Sequence, residues 1–337
     1  MTGLERVLAA VRCAHAGIPA VPQIFGHAAR TGDMPLRRYL TDPAVLAQCQ
    51  IAAMERYATD AVFALFDASV ETEALGSRLR LPKDSYPIIE RYVLERASDA
   101  ARLQLPDPRR AGRMPVALEA VRLLRCAVGD RALVAGCVLG PMTLACQLMG
   151  AEPALFAAID ETAAFEQVLD FSVELALCFG TAQLEAGAHL CIVFEPSASP
   201  AMVPPAFFRG LLKTRLRRLC EGLKHQGALA TWLHIAGPVE PILPYYPDCG
   251  VDIANIDYCV DPVRARAAVP DLCLAGNIRP MAFLDSGPEV ITEACTQVLS
   301  VARRGILLSS GCEIPLDSRP ECVHALVRAA RNEAVRP

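Results

Sequence analysis

Six polar side chains stand at or just beyond the ends of short apolar runs. Asp67 follows AVFALF (61–66), Glu195 follows LCIVF (190–194) and His234 ends LATWLH (229–234). Asp257 follows VDIANI (251–256), Asn277 follows LCLAG (272–276), and Cys312 comes two residues after GILLSS (305–310). Carboxylates suit acid–base work, an amide orients a substrate, and an imidazole with a thiol can share a zinc ion. Each residue also has a plainer reading. A carboxylate can cap a helix N-terminus, an asparagine after glycine can mark a turn, a strand-end histidine can be a satisfied core residue, and free cysteine is often buried filler.

What brings these residues together must be the elements that carry them. The apolar runs are continuous rather than alternating in polarity, as expected of strands buried on both faces. ALVAG (132–136) is a further run of this kind, and AVPQIF (20–25) is a candidate eighth strand. Helical patterns separate them. The segment 42–58 opens on Asp42-Pro43, an N-cap followed by proline at the first helical position. The segment 152–187 is long enough for two helices, while 204–227 and 287–305 both end in glycine. A last helical pattern covers 319–334. Strand–helix alternation implies a parallel sheet. Seven or eight strands in this length favour an α/β (β/α)8 TIM barrel, read as a single domain over 1–337 with an N-terminal helical extension and an insertion around 77–118. In such a barrel all six residues ring the mouth where active sites sit. A doubly wound open sheet is the alternative, but no Gly-x-Gly-x-x-Gly or P-loop follows any run.

Composition narrows the class. The chain has 337 residues, 53% of them hydrophobic and 21% charged, which is globular rather than disordered. A net charge of −4 gives no basic surface for nucleic acid or anionic membrane. No uninterrupted apolar run reaches spanning length. Glu5, Arg6 and Arg12 make the N-terminus an amphipathic helix rather than a leader. The 14 cysteines contain no Cys-x-x-Cys pair, so most read as small core residues of a cytoplasmic protein.

Several segments carry a resemblance: YATDAVFALFDASVETEALGS (57–77), GPMTLACQLMG (140–150), VFEPSAS (193–199), HIAG (234–237), GVDIANID (250–257), LAGNI (274–278) and SSGCEIPLDSRPECVHALVRAAR (309–331). With these the sequence resembles the uroporphyrinogen decarboxylase superfamily. Within it, the sequence is most similar to the cobalamin-linked methyltransferases typified by methylcobalamin:coenzyme M methyltransferase. The resemblance implies a barrel with a deep pocket at its mouth. The decarboxylases hold porphyrin carboxylates with an Arg-Gln-Ala-Gly-Arg-like motif, and the matching FGHAARTGD (25–33) keeps only Arg30. Their aspartate is matched by Asp67, but Gln147 replaces their tyrosine and Cys312 their C-terminal histidine.

The methyltransferase branch binds zinc through His-x-Cys and a later Gly-Cys. His234 and Cys312 match two of those ligands, while Ala236 replaces the other cysteine. The resemblance therefore implies zinc on His234 and Cys312 with Asp257 assisting. Taken with the strand-end positions, Asp67, Glu195 and Asp257 are expected in catalytic roles and His27, Arg30, Gln147 and Asn277 against the substrate. The chain has no Asp-x-His-x-x-Gly signature, so methylcobalamin would be carried by a separate corrinoid protein. The other partners expected are a small-molecule methyl acceptor, such as a thiol, and a second copy in a homodimer. The alternatives are a metal-free decarboxylase of a small acid and a non-catalytic barrel that binds a corrinoid or tetrapyrrole.

Overall fold

The computed structural model describes residues 1–14, 17–64, 67–301 and 304–333. Strand β1 (Ala61–Phe63) comes first, then a hairpin of β2 (Arg78–Arg80) and β3 (Ile88–Arg91). They are followed by β4 (Leu133–Leu139), β5 (Leu190–Phe194), β6 (Trp232–His234), β7 (Ile253–Asn255), β8 (Cys273–Ile278) and β9 (Ile306–Ser310). Apart from the hairpin, these strands form one parallel seven-stranded sheet in the order β1-β4-β5-β6-β7-β8-β9. The continuous apolar runs are strands buried along their length, as in β4, β5 and β9. The run read through residue 66 is a strand to Phe63, and its last two positions lie outside the described residues.

The eighth strand expected over 20–25 reduces to one parallel bridge, Ala20 to Leu308. Pro19 and Pro22 have no N–H to donate, so a ladder cannot extend there. The segment still touches both edges of the sheet. Val21 N–H donates to Leu308 O at 2.9 Å on β9, and Asp60 N–H, just before β1, donates to Ala20 O at 2.9 Å.

Helices fill the crossovers much as patterned. Asp42 caps Pro43–Tyr57 by accepting from the N–H groups of Ala44 and Val45. The long segment splits at Glu161 into Ala151–Asp160 and Thr162–Glu185. The segment around 77–118 holds the hairpin, a 3-10 turn (Ala97–Arg102) and the start of helix Met114–Val128. No single helix among the described residues is long and apolar enough to cross a membrane. The cysteines are free and mostly buried, with Cys126 and Cys259 exposed.

One buried carboxylate ties the chain ends to the sheet. Asp60 is 1% exposed. It accepts from Ala20 N–H at 2.8 Å, from Arg6 Nε at 3.2 Å on the first helix, and from Arg331 Nη1 and Nη2 at 3.0 and 2.9 Å on the last. Removing one partner of a buried ion network strands the rest, at about 3–5 kcal/mol. Asp60→Ala is therefore expected to lower unfolding free energy by that order in urea titration. Arg6→Ala, which leaves Arg331 in place, should lose well under half as much; equal losses would contradict the shared clasp.

Candidate functional site

Of the residues expected at the mouth, the structure gathers Asp67 and Gln147 at one cavity of about 300 Å3, together with Ser69, Tyr86, Tyr92 and Glu313. Asp67 leaves the sheet after β1. Its Oδ1 accepts from the Ser69 N–H at 2.9 Å and hydroxyl at 2.7 Å, while Oδ2 lies 2.6 Å from Arg113 Nη1. Arg113 is itself buried. It donates through Nε to Glu73 at 2.7 Å and through Nη2 to Ser69 Oγ at 3.1 Å. In the same cavity, Glu313 Oε1 accepts from the Tyr86 hydroxyl at 2.6 Å and from Gly26 N–H at 2.9 Å. Burial pushes the Glu313 carboxyl above its ordinary value, against those two hydrogen bonds.

Sequence reasoning missed Tyr86, Arg113 and Glu313. Tyr86 and Arg113 come from the inserted segment, whose pattern has no period to follow. Glu313 was visible, since it directly follows Cys312 in the quoted motif.

The other expected residues fall elsewhere. Glu195 was expected in a catalytic role, but it is wholly buried, and its oxygens accept from Met142 N–H at 2.7 Å and Thr143 N–H at 2.8 Å. It thus holds the N-terminus of helix Pro141–Met149, which carries Gln147, and burial lifts its carboxyl to about 7. Gly140 makes room for it, because a Cβ there would stand 2.6 Å from the Glu195 carboxyl carbon. Asp257 joins three loops: Oδ2 accepts from Gly237 N–H and Oδ1 from Tyr258 N–H, while Gly311 passes so close that a Cβ would meet Oδ1 at 2.5 Å.

Asn277 was expected against substrate. It lines a separate groove of about 630 Å3 with Tyr258, Val263 and Gln297, and donates to Val260 O at 2.8 Å. His27 was expected there too, but both ring nitrogens are used, on Leu316 O at 2.8 Å and Tyr57 OH at 3.0 Å. Arg30 pairs outside the cavity with Asp84 at 3.4 Å and Asp317 at 3.1 Å.

His234 and Cys312 were expected to hold zinc with help from Asp257. His234 is buried against Phe194, with ring centroids 4.7 Å apart. Burial drops its pKa to about 3, opposed by a hydrogen bond with Asn255, and its Nδ1 has no partner. The neutral ring therefore has one nitrogen free to bind something. Cys312 is half-buried, and burial raises its thiol to about 11. The third donor is missing. Ala236 offers none, both Asp257 oxygens are taken by backbone, and no three His, Cys, Asp or Glu side chains among the described residues come together as ligands. Catalytic zinc takes three protein ligands. This donor set does not fit it.

Two deeply buried carboxyls make stability depend on pH. Beside Asp67, Glu71 accepts from Leu139 N–H at 2.9 Å, and burial lifts it from 4.5 to about 7. A carboxyl whose pKa is raised on folding favours the folded state most below its unfolded pKa, and that contribution is lost as pH rises through the folded value. Between pH 4.5 and about 7, Glu71 and Glu195 should each remove up to ~3 kcal/mol of stability. Urea titrations across that window should show the decline, with Glu71→Gln reducing its slope by about half. A slope unchanged in the variant would contradict the assignment.

The chain is 31% identical over 297 residues to methylcobamide:CoM methyltransferase MtaA of Methanosarcina barkeri, covering 87% of this chain and 85% of that protein. It is 28% identical over 316 residues to the uroporphyrinogen decarboxylase of Acidiphilium cryptum, covering 87% and 82%. A solved methyltransferase from Methanosarcina mazei superposes with a TM-score of 0.90 at 27% identity, covering 98% of this chain and 99% of that one. Residues 4–333 match the family described as uroporphyrinogen decarboxylase (URO-D), and the chain belongs to that family.

Proposed function

We propose that this protein is a methyltransferase that moves a methyl group between a corrinoid on a separate protein and a small acceptor, such as a thiol, in the cavity of Asp67 and Glu313. The observation that carries this reading is the cavity's lining. It is small, about 300 Å3, and neither lysine nor arginine is among the residues that line it. Decarboxylation of a porphyrin needs room for a tetrapyrrole and cations for its several carboxylates. The similarity to methyltransferases by sequence and by structure supports the same choice. We also read the sheet as the wall of a (β/α)8 barrel, with residues 19–21 in the eighth place. The hydrogen bonds from that segment to both edges of the sheet support this.

The corrinoid supplies an electrophilic methyl group whose Co–C electron pair can stay on cobalt as Co(III) becomes Co(I). The chain's own residues must do the rest. An acceptor thiol has a pKa near 8.5 and reacts as thiolate, so it must lose a proton as its S–C bond forms. Glu313 is placed to take that proton. It lines the cavity, and its raised pKa brings it nearer neutrality, where a general base works best. Tyr86, which donates to the carboxylate, fixes its direction. Asp67, held by Arg113 and Ser69, shapes another part of the wall. Glu195 acts through helix Pro141–Met149, which positions Gln147. No step is routed through zinc, because His234 and Cys312 lack a third ligand.

Methyl transfer from methylcobalamin to 2-mercaptoethanol, followed by loss of the methylcobalamin absorbance, tests the reading. Removing the base in Glu313→Gln should lower kcat about 100-fold with little change in KM. A zinc chelator should leave the wild-type rate unchanged. An unaltered rate in Glu313→Gln would remove the base, and loss of activity with chelator would restore the metal.

A further inference from the structure

We infer that the acceptor cavity selects uncharged or cationic molecules and rejects anionic ones. The inference rests on the proposal that a methyl acceptor occupies this cavity.

Two carboxylates, Asp67 and Glu313, are part of the wall. The cation nearest to them in the network is Arg113. Its guanidinium is already shared between Asp67 at 2.6 Å and Glu73 at 2.7 Å, with Ser69 on the remaining nitrogen. The one positive charge is thus matched by Asp67 and Glu73, and no excess is left for Glu313 or for a ligand. Arg30, the remnant of an anion-binding motif in the sequence, is turned towards Asp84 and Asp317. An incoming sulfonate or carboxylate would lose water beside fixed carboxylates with no counter-charge, which is unfavourable.

A cation meets the opposite situation. Tyr86 and Tyr92 line the cavity with the carboxylates, and aromatic rings next to carboxylates attract ammonium groups. An uncharged acceptor fits as well, because Ser69, Gln147 and Tyr86 offer hydroxyl and amide groups. Coenzyme M is 2-mercaptoethanesulfonate, so the cavity departs from what the relatives' names would suggest.

Three thiols with one skeleton separate charge from shape: 2-mercaptoethanesulfonate, 2-mercaptoethanol and 2-aminoethanethiol. Calorimetric titration of the full chain at pH 7 should show the sulfonate binding at least tenfold more weakly than either of the others. Gln147→Arg places a cation in the wall and should shift the preference towards the sulfonate by tenfold or more; circular dichroism and thermal melting check that this variant folds. A sulfonate that binds as tightly as the other two, or no measurable binding by any of the three, overturns the inference. Methyl transfer from methylcobalamin is read in parallel. If the binding order holds without transfer, the charge selection stands and the methyltransferase reading falls. If transfer runs best to the sulfonate, the selection falls and the methyltransferase reading stands.

Discussion

The buried ion pair between Asp67 and Arg113 sets the character of the mouth. Arg113 reaches Asp67 at 2.6 Å and Glu73 at 2.7 Å, and it comes from the end of the inserted segment rather than from the sheet. A guanidinium so deeply placed must be matched by carboxylates, and once matched it has nothing left for a substrate. The same contact anchors the insertion against the loop after β1. The hairpin of that insertion then sends Tyr86 across to Glu313. One ion pair thus fixes both the shape of the cavity and its lack of free positive charge.

The remaining polar residues divide by what they hold. Glu195 and Asp257 spend their oxygens on backbone N–H groups and keep the strand ends in place. Glu313 alone combines a raised pKa with a place on the cavity and a tyrosine that orients it. His234 lies apart, neutral and deeply buried, with Nδ1 unpartnered. A buried polar atom of that kind is uncommon in a folded protein, and it marks the position where a ligand set would begin if Ala236 were a donor.

The sheet was legible because continuous apolar runs have one physical reading when helices lie between them, and helix starts such as Asp42-Pro43 were legible because capping is local. The eighth run, 20–25, misled because Pro22 and the flanking Pro19 remove ladder donors even though its apolar pattern is right. The strand-end rule brought Asp67 to the cavity, but it does not say which way each side chain turns. Glu195 turns back to the preceding crossover helix and His27 to Leu316 and Tyr57, which are tertiary choices that no local pattern records. The contact between Tyr86 and Glu313 spans 227 residues. Nothing in the sequence around either residue points to the other, so the cavity's actual walls had to come from the fold.

Membership of the URO-D family leaves methyl transfer and decarboxylation as competing chemistries, because the chain's relatives include both kinds of enzyme. The cavity favours the first, since it is small and carries no cation of its own. Tracing the methyl carbon decides between them most directly. With 13C-methylcobalamin and a small uncharged thiol, NMR should show the label appearing as an S-methyl thioether at a rate that requires this protein. Failure to form the labelled thioether, together with release of carbon dioxide from a candidate acid, would contradict the account.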